Sequence, residues 1–328
     1  MSYLLAILAA FVASGIFIAL MGYDPFKAFQ TILVTSFRTP NGFIQTLLKW
    51  VPLTLLALAF TVPYATMKFN IGGEGQLLMG AIGATIAGIL LKGLPPILMV
   101  PAVLLAGTLA GAIWGFIPGW LLYRYKINEI LTTVLLNFVT FALVNYIATE
   151  VYPNPEVGHP TTIRIATEGW LPMLVDNPPL HSGLILMVMV AIGVYAFTNR
   201  STRGYELVAT GANPRAAGVF GINVPVMFMM GLVIGGALAG LAGGIEVAGI
   251  QHHLIEGMHS NFKILGIIIG LIAKGSSLAV PFVAFFIAVM EVGASAMQRT
   301  LNIPIEMVYI VEALILLFVL LVDVVRRK

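Results

Sequence analysis

The chain is 328 residues long, and 59% of its residues are hydrophobic whereas only 9% are charged. A soluble domain carries roughly 25% charged residues, so 17 Lys and Arg and 14 Asp and Glu residues are too few to surround a soluble fold. The absence of cysteine excludes a disulfide scaffold, and a net charge of only +3 argues against a nucleic-acid partner. The composition therefore predicts a membrane protein.

The apolar residues fall into ten segments of the kind that form membrane-spanning helices, each of which needs about 20 mostly apolar residues. We therefore expect an all-α, polytopic protein of about ten transmembrane helices in a single domain over residues 1–328. The eighth segment is too short to span alone, and either it begins earlier or it is a broken helix. The segments are Tyr3–Met21, Leu47–Thr66, Ile71–Leu91, Pro96–Tyr123, Asn128–Ile147, Gly183–Thr198, Pro225–Val247, Ile264–Ala273, Leu278–Met297 and Ile305–Val325.

The two ends of the chain are expected on the same side of the membrane because the number of segments is even. The first segment lacks a basic leader and a small-residue cleavage pattern, so we expect it to be a retained span. An amphipathic helix over Asp24–Phe37 is expected to follow it at the outer interface. Ten of the 17 Lys and Arg residues lie in the loops on the side of the termini, which places that side in the cytoplasm. Residues 151–181 then form a long external loop.

Catalytic motifs are missing from the sequence. It contains no G-x-x-x-x-G-K-[S/T] loop, no H-E-x-x-H and no G-x-S-x-G, so we expect no enzyme activity, no catalytic residue and no cofactor in this chain. His252, Glu256 and His259 follow an i, i+4, i+7 spacing that could hold a metal ion. A plain hydrated surface is the favoured interpretation of these residues, so no metal site is predicted.

The stretch FNIGGEGQLLMG, residues 69–80, predicts a broken helix. Three glycines permit conformations that interrupt a helix, while Asn70, Glu74 and Gln76 place polar groups at membrane depth or at its edge. Such breaks occur at transport sites, where freed backbone groups face a polar cavity. The alternative is an interfacial loop before the third span. Asn137 and Asn145, eight residues apart on one face of the fifth span, either line the same pathway or join helices.

Three further carboxylates lie within spans. Glu246 is close to the outer end of its span and is expected to reach the interface, whereas Glu291 and Glu312 are deeper and have no partner that the sequence identifies. The small residues between Gly235 and Gly244 form a ridge on the seventh span, which predicts a close-packing surface between helices.

The loop at residues 199–224 contains two short helical patterns, Gly204–Thr210 and Pro214–Phe220. Asn213 is expected to cap the second helix, with Pro214 at its first position. The small side chains, the Arg215 charge and the Glu206 countercharge suit a partner's groove. The alternative is an ordinary amphipathic connector at the bilayer surface. The candidate docking residues are Gly204, Glu206, Gly211, Asn213, Pro214, Arg215, Ala216 and Gly218.

Three of these stretches together resemble a known family. They are FNIGGEGQLLMGA at Phe69–Ala81, NEILTTVLLNFV at Asn128–Val139 and GYELVATGANPRAAGVFGINV at Gly204–Val224. The chain is similar to permease subunits of ABC importers of the branched-chain amino acid and monosaccharide class, most of all to the nucleoside and simple-sugar branch. It departs from the family pattern after His253, where NFKILGIIIGLIAKGSS replaces a run of small residues.

The resemblance implies a pathway subunit that pairs with a second, identical or homologous permease in the inner membrane of a prokaryote. It implies a cytoplasmic ATPase that uses ATP and Mg²⁺, and an extracytoplasmic substrate-binding protein. It makes 199–224 the coupling loop and Phe69–Gln76 part of the translocation region. The expected cargo is a purine nucleoside, with riboflavin or a simple sugar as alternatives. An ion-driven secondary transporter is the alternative from another class.

Overall fold

A computed structural model describes residues 3–258, 262, 264–304, 306, 307, 309, 310, 313, 314, 317 and 318. His259, Glu312 and most of the predicted segment Ile305–Val325 lie outside these residues. The helices are α1 Tyr3–Leu20, α2 Pro25–Arg38, α3 Pro40–Tyr64, α4 Gly73–Leu90, α5 Pro96–Tyr125, α6 Glu129–Tyr146, α7 Gly183–Arg200, α8 Thr202–Ala212, α9 Pro214–Val219, α10 Val224–Glu246, α11 Leu265–Ile272 and α12 Val280–Leu301.

These helices confirm the all-α, polytopic prediction, but about ten spans is an imprecise count. Among the described residues, α3, α4, α5, α6, α7, α10 and α12 are long and apolar enough to cross a membrane. The pair α1 and α2, bent by 120°, would add an eighth span. The helix α11 has 8 residues and covers about 12 Å at 1.5 Å per residue, so this short helix cannot cross the hydrocarbon core alone.

Short elements complete the described fold. The helices α6 and α10 both end in a π-helical turn, over Ile147–Val151 and Val247–Gln251 respectively. The long loop after α6 contains a 3₁₀ turn, Thr167–Gly169, and a two-stranded sheet of β1 Met173–Asp176 and β2 Pro179–His181.

The chain forms two compact units. Unit 1 contains residues 1–50, 177–179 and 282–328, and unit 2 contains residues 51–176 and 180–281. In unit 1, α2 packs on α12: Ile32 is buried against Gly293, and the Ser36 hydroxyl donates to the Val289 carbonyl at 3.1 Å. The Asp24 carboxylate caps α2 by accepting from two backbone N–H groups. The predicted amphipathic helix is therefore confirmed as a helix.

In unit 2, the small residues of α10 bring three helices into backbone contact. A Cβ added to Gly240 would lie 2.8 Å from the Cα of Gly111 on α5, and one added to Gly243 would lie 2.7 Å from the Ala81 nitrogen on α4. Side chains would separate these backbones. The predicted close-packing ridge is confirmed, and it joins α4, α5 and α10.

The loops of unit 2 gather at its two ends. Where α4 begins, Gly211 of α8 lies directly against the Ala65 carbonyl at the end of α3. Where α4 ends, the Ala166 N–H donates to the Gly88 carbonyl at 3.2 Å and the Ile165 N–H donates to the His252 carbonyl at 2.8 Å. The long loop and the 199–224 loop therefore lie at opposite ends of this unit.

Candidate functional site

The segment between α3 and α4 is non-helical, and part of it, including Asn70 and Gly72, is buried. Residues 69–72 have no helical structure, and α4 then runs without interruption from Gly73. The break therefore precedes the span and does not divide it. This position matches the alternative prediction of a loop before the third span. Its polar side chains are nevertheless inside the protein, since Asn70 is 2% exposed and Gln76 is 1% exposed. The segment therefore lies where a loop would, between two helices, but these polar side chains are as buried as core residues.

Three side-chain amides, Asn70, Gln76 and Asn137, hold this segment, and we call them the amide clasp. Asn70 Nδ2 donates to Gln76 Oε1 at 2.8 Å, and Gln76 Nε2 donates back to Asn70 Oδ1 at 3.1 Å. Asn137 Oδ1 accepts from the Gly75 N–H at 2.9 Å, while its Nδ2 donates to the Ile71 carbonyl at 3.2 Å. The clasp thus ties the first turn of α4 to α6.

The clasp leaves little room for other partners. A Cβ on Gly75 would lie 2.6 Å from Asn137 Oδ1, so only glycine allows this approach. Buried amides that form hydrogen bonds with each other replace the hydrogen bonds that they lose to water. Asn70, Gln76 and Asn137 are therefore committed to positioning α4. Asn145, two turns further along α6, is half-buried and lies outside the clasp.

Two of the predicted pathway residues, Asn70 and Glu74, line a cavity. The cavity has about 20 Å³, room for one water molecule. It lies in unit 2, and its lining residues are Leu56, Phe60, Asn70, Ile71, Gly73, Glu74, Phe262, Gly266 and Ile267. Glu74 is in the first turn of α4, where the helix dipole favours a negative charge.

An ion pair that the sequence analysis missed lies at the same end of unit 2. Lys68 Nζ is 3.4 Å from Glu129 Oε2, and it also lies 4.8 Å from the centre of the Phe228 ring. The Glu129 side chain is 7% exposed. The pair joins the segment before α4 to the first turn of α6. The sequence pattern that marks this position is Asn128-Glu129, because a capping residue followed by an acidic residue is typical of the start of a helix.

The predicted docking loop forms the helix pair α8 and α9. Asn213 Oδ1 accepts from the backbone N–H groups of Arg215 and Ala216, both at 3.1 Å, which confirms the predicted cap. Pro214 is the first residue of α9, also as predicted. Gly204 and Gly211 face inward, against the carbonyls of Phe197 and Ala65. These two glycines therefore anchor α8 to the spans.

The outer surface of this helix pair differs from the prediction in one respect. Glu206 pairs with Arg203 at 2.8 Å, an ion pair within α8 that was not predicted. Ala216 is half-buried, whereas Arg215 and Gly218 are exposed. Val219 and Phe220, which were not among the predicted docking residues, are 86% and 85% exposed. These two side chains form an exposed apolar surface at the end of α9.

His252 and Glu256, two residues of the spacing that could hold a metal ion, do not lie on one continuous helix. His252 has φ of 60° and ends the helical path, so the i, i+4, i+7 spacing does not align it with Glu256. Its ring stacks on Trp170, with 3.7 Å between the ring centres. Among the described residues no group of three His, Cys, Asp or Glu side chains could hold a metal ion.

A buried histidine lies beside this stacked pair. His181 is 2% exposed, and its Nδ1 accepts from the Gly183 N–H at 3.2 Å. A Cβ on Gly249 would lie 2.7 Å from the imidazole, so the ring fills a slot at the end of α10. Burial, with a smaller contribution from His252, lowers the His181 pKa to about 4. The ring is therefore neutral at pH 7.

Two other span carboxylates are buried. Glu246 is 5% exposed, so the expectation that it reaches the interface is wrong. Glu291 is also 5% exposed and interacts electrostatically with Lys49 in the same unit.

The described chain is a polytopic fold with a buried polar entry to one span and a helix pair beyond the membrane helices, and buried polar breaks next to spans are found in transport proteins. The family described as branched-chain amino acid transport system / permease component matches residues 42–320. The chain belongs to this family and is an ABC transporter permease subunit.

Three relatives are similar over almost the whole chain. The glucose ABC transporter permease protein TsgB13 of Haloferax volcanii is 30% identical, covering 98% of this chain and 87% of its own. The guanosine ABC transporter permease protein NupP of Bacillus subtilis is 30% identical, covering 96% and 91%. The nucleoside ABC transporter permease protein NupB of Lactococcus lactis is 28% identical, covering 96% and 89%.

Proposed function

We propose that this permease carries a purine nucleoside into the cell. The observation that carries this proposal is the similarity to guanosine and nucleoside permeases over 96% of the chain. A simple sugar is the second candidate, because the glucose permease is equally identical at 30%. Riboflavin remains a further alternative. An ion-driven transporter is set aside because the chain belongs to a family of ABC permeases.

In this proposal the chain forms one permease domain over residues 1–328 and provides the pathway, not the energy. The amide clasp holds α4 against α6, and Glu74, beside the water-sized cavity, is the pathway residue that contacts the solute or its water. Asn70, Gln76 and Asn137 act indirectly, by fixing α4. Asn145 lines the same side of α6 farther along the pathway.

The helix pair α8 and α9 is proposed to receive the movement of a cytoplasmic ATPase that uses ATP and Mg²⁺. Gly204 and Gly211 hold α8 rigidly on the spans, while Asn213 and Pro214 start α9 at a fixed point. Arg215, Ala216 and Gly218 lie on the short helix whose tip exposes Val219 and Phe220. A helix pair that is held rigidly on the spans and exposes an apolar end can transmit a movement of the ATPase to the spans.

The remaining assignments are part of the same proposal. The end of unit 2 that holds α8 and α9 faces the cytoplasm, and the 151–181 loop faces outward. The charge distribution of the sequence favours cytoplasmic termini. A second permease, identical or homologous, completes the pathway. An extracytoplasmic binding protein delivers the solute. The assembly resides in the plasma membrane of a prokaryote.

Uptake of labelled solutes by cells with and without this chain tests which cargo it carries. Cells lacking this chain should lose uptake of radiolabelled guanosine at low external concentration, and restoring the chain should restore it. Glucose and riboflavin uptake should be unchanged. Loss of glucose uptake with normal guanosine uptake would instead support the sugar permease.

A further inference from the structure

Unit 1 contains an apolar cavity of about 400 Å³ formed by α1, α2 and α12. Its lining consists of hydrocarbon side chains and one thioether. The lining residues are Phe11, Phe29, Ile32, Leu33, Phe37, Phe285, Phe286, Val289 and Met290. A cavity of this size is within the range of small-molecule sites.

Aromatic contacts hold the walls of the cavity in place. The Phe11 ring meets Phe29 edge to face at 5.4 Å between centres and Phe286 at 6.3 Å, and Phe37 lies 6.2 Å from Phe285. The Trp50 ring also meets Phe285 edge to face, at 5.3 Å between centres. These rings form a preformed pocket. The pocket opens to the surface at Leu33 and Phe37, which are 57% and 50% exposed, so an apolar molecule can enter it from the surroundings of the protein.

The chemistry of the lining restricts the occupant. Nucleosides and sugars carry hydroxyl groups that need hydrogen-bond partners when they leave water, and no lining side chain offers a strong donor or acceptor. The solute of the transporter therefore does not suit this pocket. Hydrocarbon does, and a membrane-spanning chain is surrounded by the acyl chains of lipids.

The charges of α2 indicate where a lipid headgroup would lie. Lys27, near the start of the helix, is 3.9 Å from Asp24 and so has a negative partner. Arg38, at the other end, is exposed and takes part in none of the ion pairs found among the described residues. It directly follows Phe37, which with Leu33 forms the exposed part of the lining, at 50% and 57% exposure.

We propose that the cavity holds one acyl chain of an anionic phospholipid whose phosphate contacts Arg38. The guanidinium supplies planar donors that suit phosphate oxygens. The chain enters beside Leu33 and Phe37 and lies among the phenylalanine rings. The lipid would link α2 to α12 as a structural component of unit 1. This proposal does not depend on the solute.

Native mass spectrometry of the permease, purified with its partner subunits, tests the proposal. The probes are phosphatidylglycerol and phosphatidylethanolamine of equal chain length, added after detergent extraction. Leu33→Trp places an indole in the mouth of the cavity, at an exposed position where folding tolerates it. Phe26→Trp is the matched control, since Phe26 is on the same helix, 87% exposed and outside the lining.

The wild type and Phe26→Trp should retain one phosphatidylglycerol per chain, and Leu33→Trp should lose it. Arg38→Gln should retain lipid but lose the preference for phosphatidylglycerol over phosphatidylethanolamine. Equal lipid retention by Leu33→Trp and the wild type would overturn the proposal. So would a wild type without bound lipid, or a Leu33→Trp protein that loses a protein subunit while its lipid content is unchanged.

Discussion

The side-chain amides of Asn70 and Gln76 exchange two hydrogen bonds, at 2.8 and 3.1 Å, across the start of α4. Both residues are at most 2% exposed. A reciprocal amide pair inside a membrane domain fixes two segments at once. It makes the entry to α4 a rigid part of the fold.

Replacing Gln76 tests this rigidity. Gln76→Ala removes both bonds of the pair, and each buried hydrogen bond contributes about 1 kcal/mol, so we expect a loss of about 1–3 kcal/mol. The measurement is thermal unfolding of the purified protein, followed by tryptophan fluorescence. Gln45→Ala, at an exposed position of α3, is the control. Equal melting temperatures for the two variants would show that the pair contributes nothing.

The glycine contacts of α10 give a second prediction. Gly240→Ala forces α10 away from α5, and overpacking of this kind costs about 1–3 kcal/mol. Gly193→Ala, in the middle of α7, meets no atom within 4 Å and should be neutral or stabilising by roughly 0.5–1 kcal/mol. The yield of folded protein and its melting temperature should fall for the first variant only. Equal yields and melting temperatures for the two variants would show that the contact between α10 and α5 does not require glycine at position 240.

His181 predicts how stability depends on pH. Its pKa is about 4 in the folded protein and near 6.5 when exposed, so the unfolded state binds the proton more readily. Its contribution is complete above pH 6.5 and is lost as the pH falls towards 4, by about 3 kcal/mol in total. Melting temperatures measured between pH 7.5 and 4.5 should show this decline.

His181→Gln should flatten that decline, whereas His159→Gln should leave it unchanged because His159 is an exposed residue of the same loop. A His181→Gln protein with the same pH profile as the wild type would assign the decline to other groups. His252 is the first such candidate, since burial and then Arg164 lower its pKa too.

The exposed tip of α9 predicts a partner contact. Phe220→Ser should leave the melting temperature unchanged, because the side chain is 85% exposed, but should reduce the amount of ATPase that purifies with the permease. Ile97→Ser, an 81% exposed apolar residue at the other end of unit 2, is the matched control. Equal ATPase recovery for both variants would exclude Phe220 from the contact.

Local features of this fold were predictable from the sequence. The Asn213 cap followed by Pro214 depends on neighbouring residues only, and the α10 ridge follows from small residues on one helix. The helix α2 was predicted from the spacing of its apolar residues. In each case the physical cause lies within about ten residues of the chain.

The features that were missed depend on distant residues. Gly75 and Asn137 are 62 positions apart, and Lys68 and Glu129 are 61 apart, so no local pattern pairs them. The number of spans was imprecise for a related reason. The sequence showed that the segment of α11 is too short to span alone, but hydropathy does not decide whether it extends into a longer span or ends as a short packed helix.

ATP-driven uptake in proteoliposomes tests the central claim most directly. The vesicles would contain the purified assembly of this permease with its partner subunits, with the binding protein and radiolabelled guanosine outside. Guanosine should accumulate only when ATP is present on the side of the ATPase, and deletion of residues 213–220 should abolish accumulation. Uptake driven by a sodium or proton gradient without ATP, and unaffected by the deletion, would contradict the account.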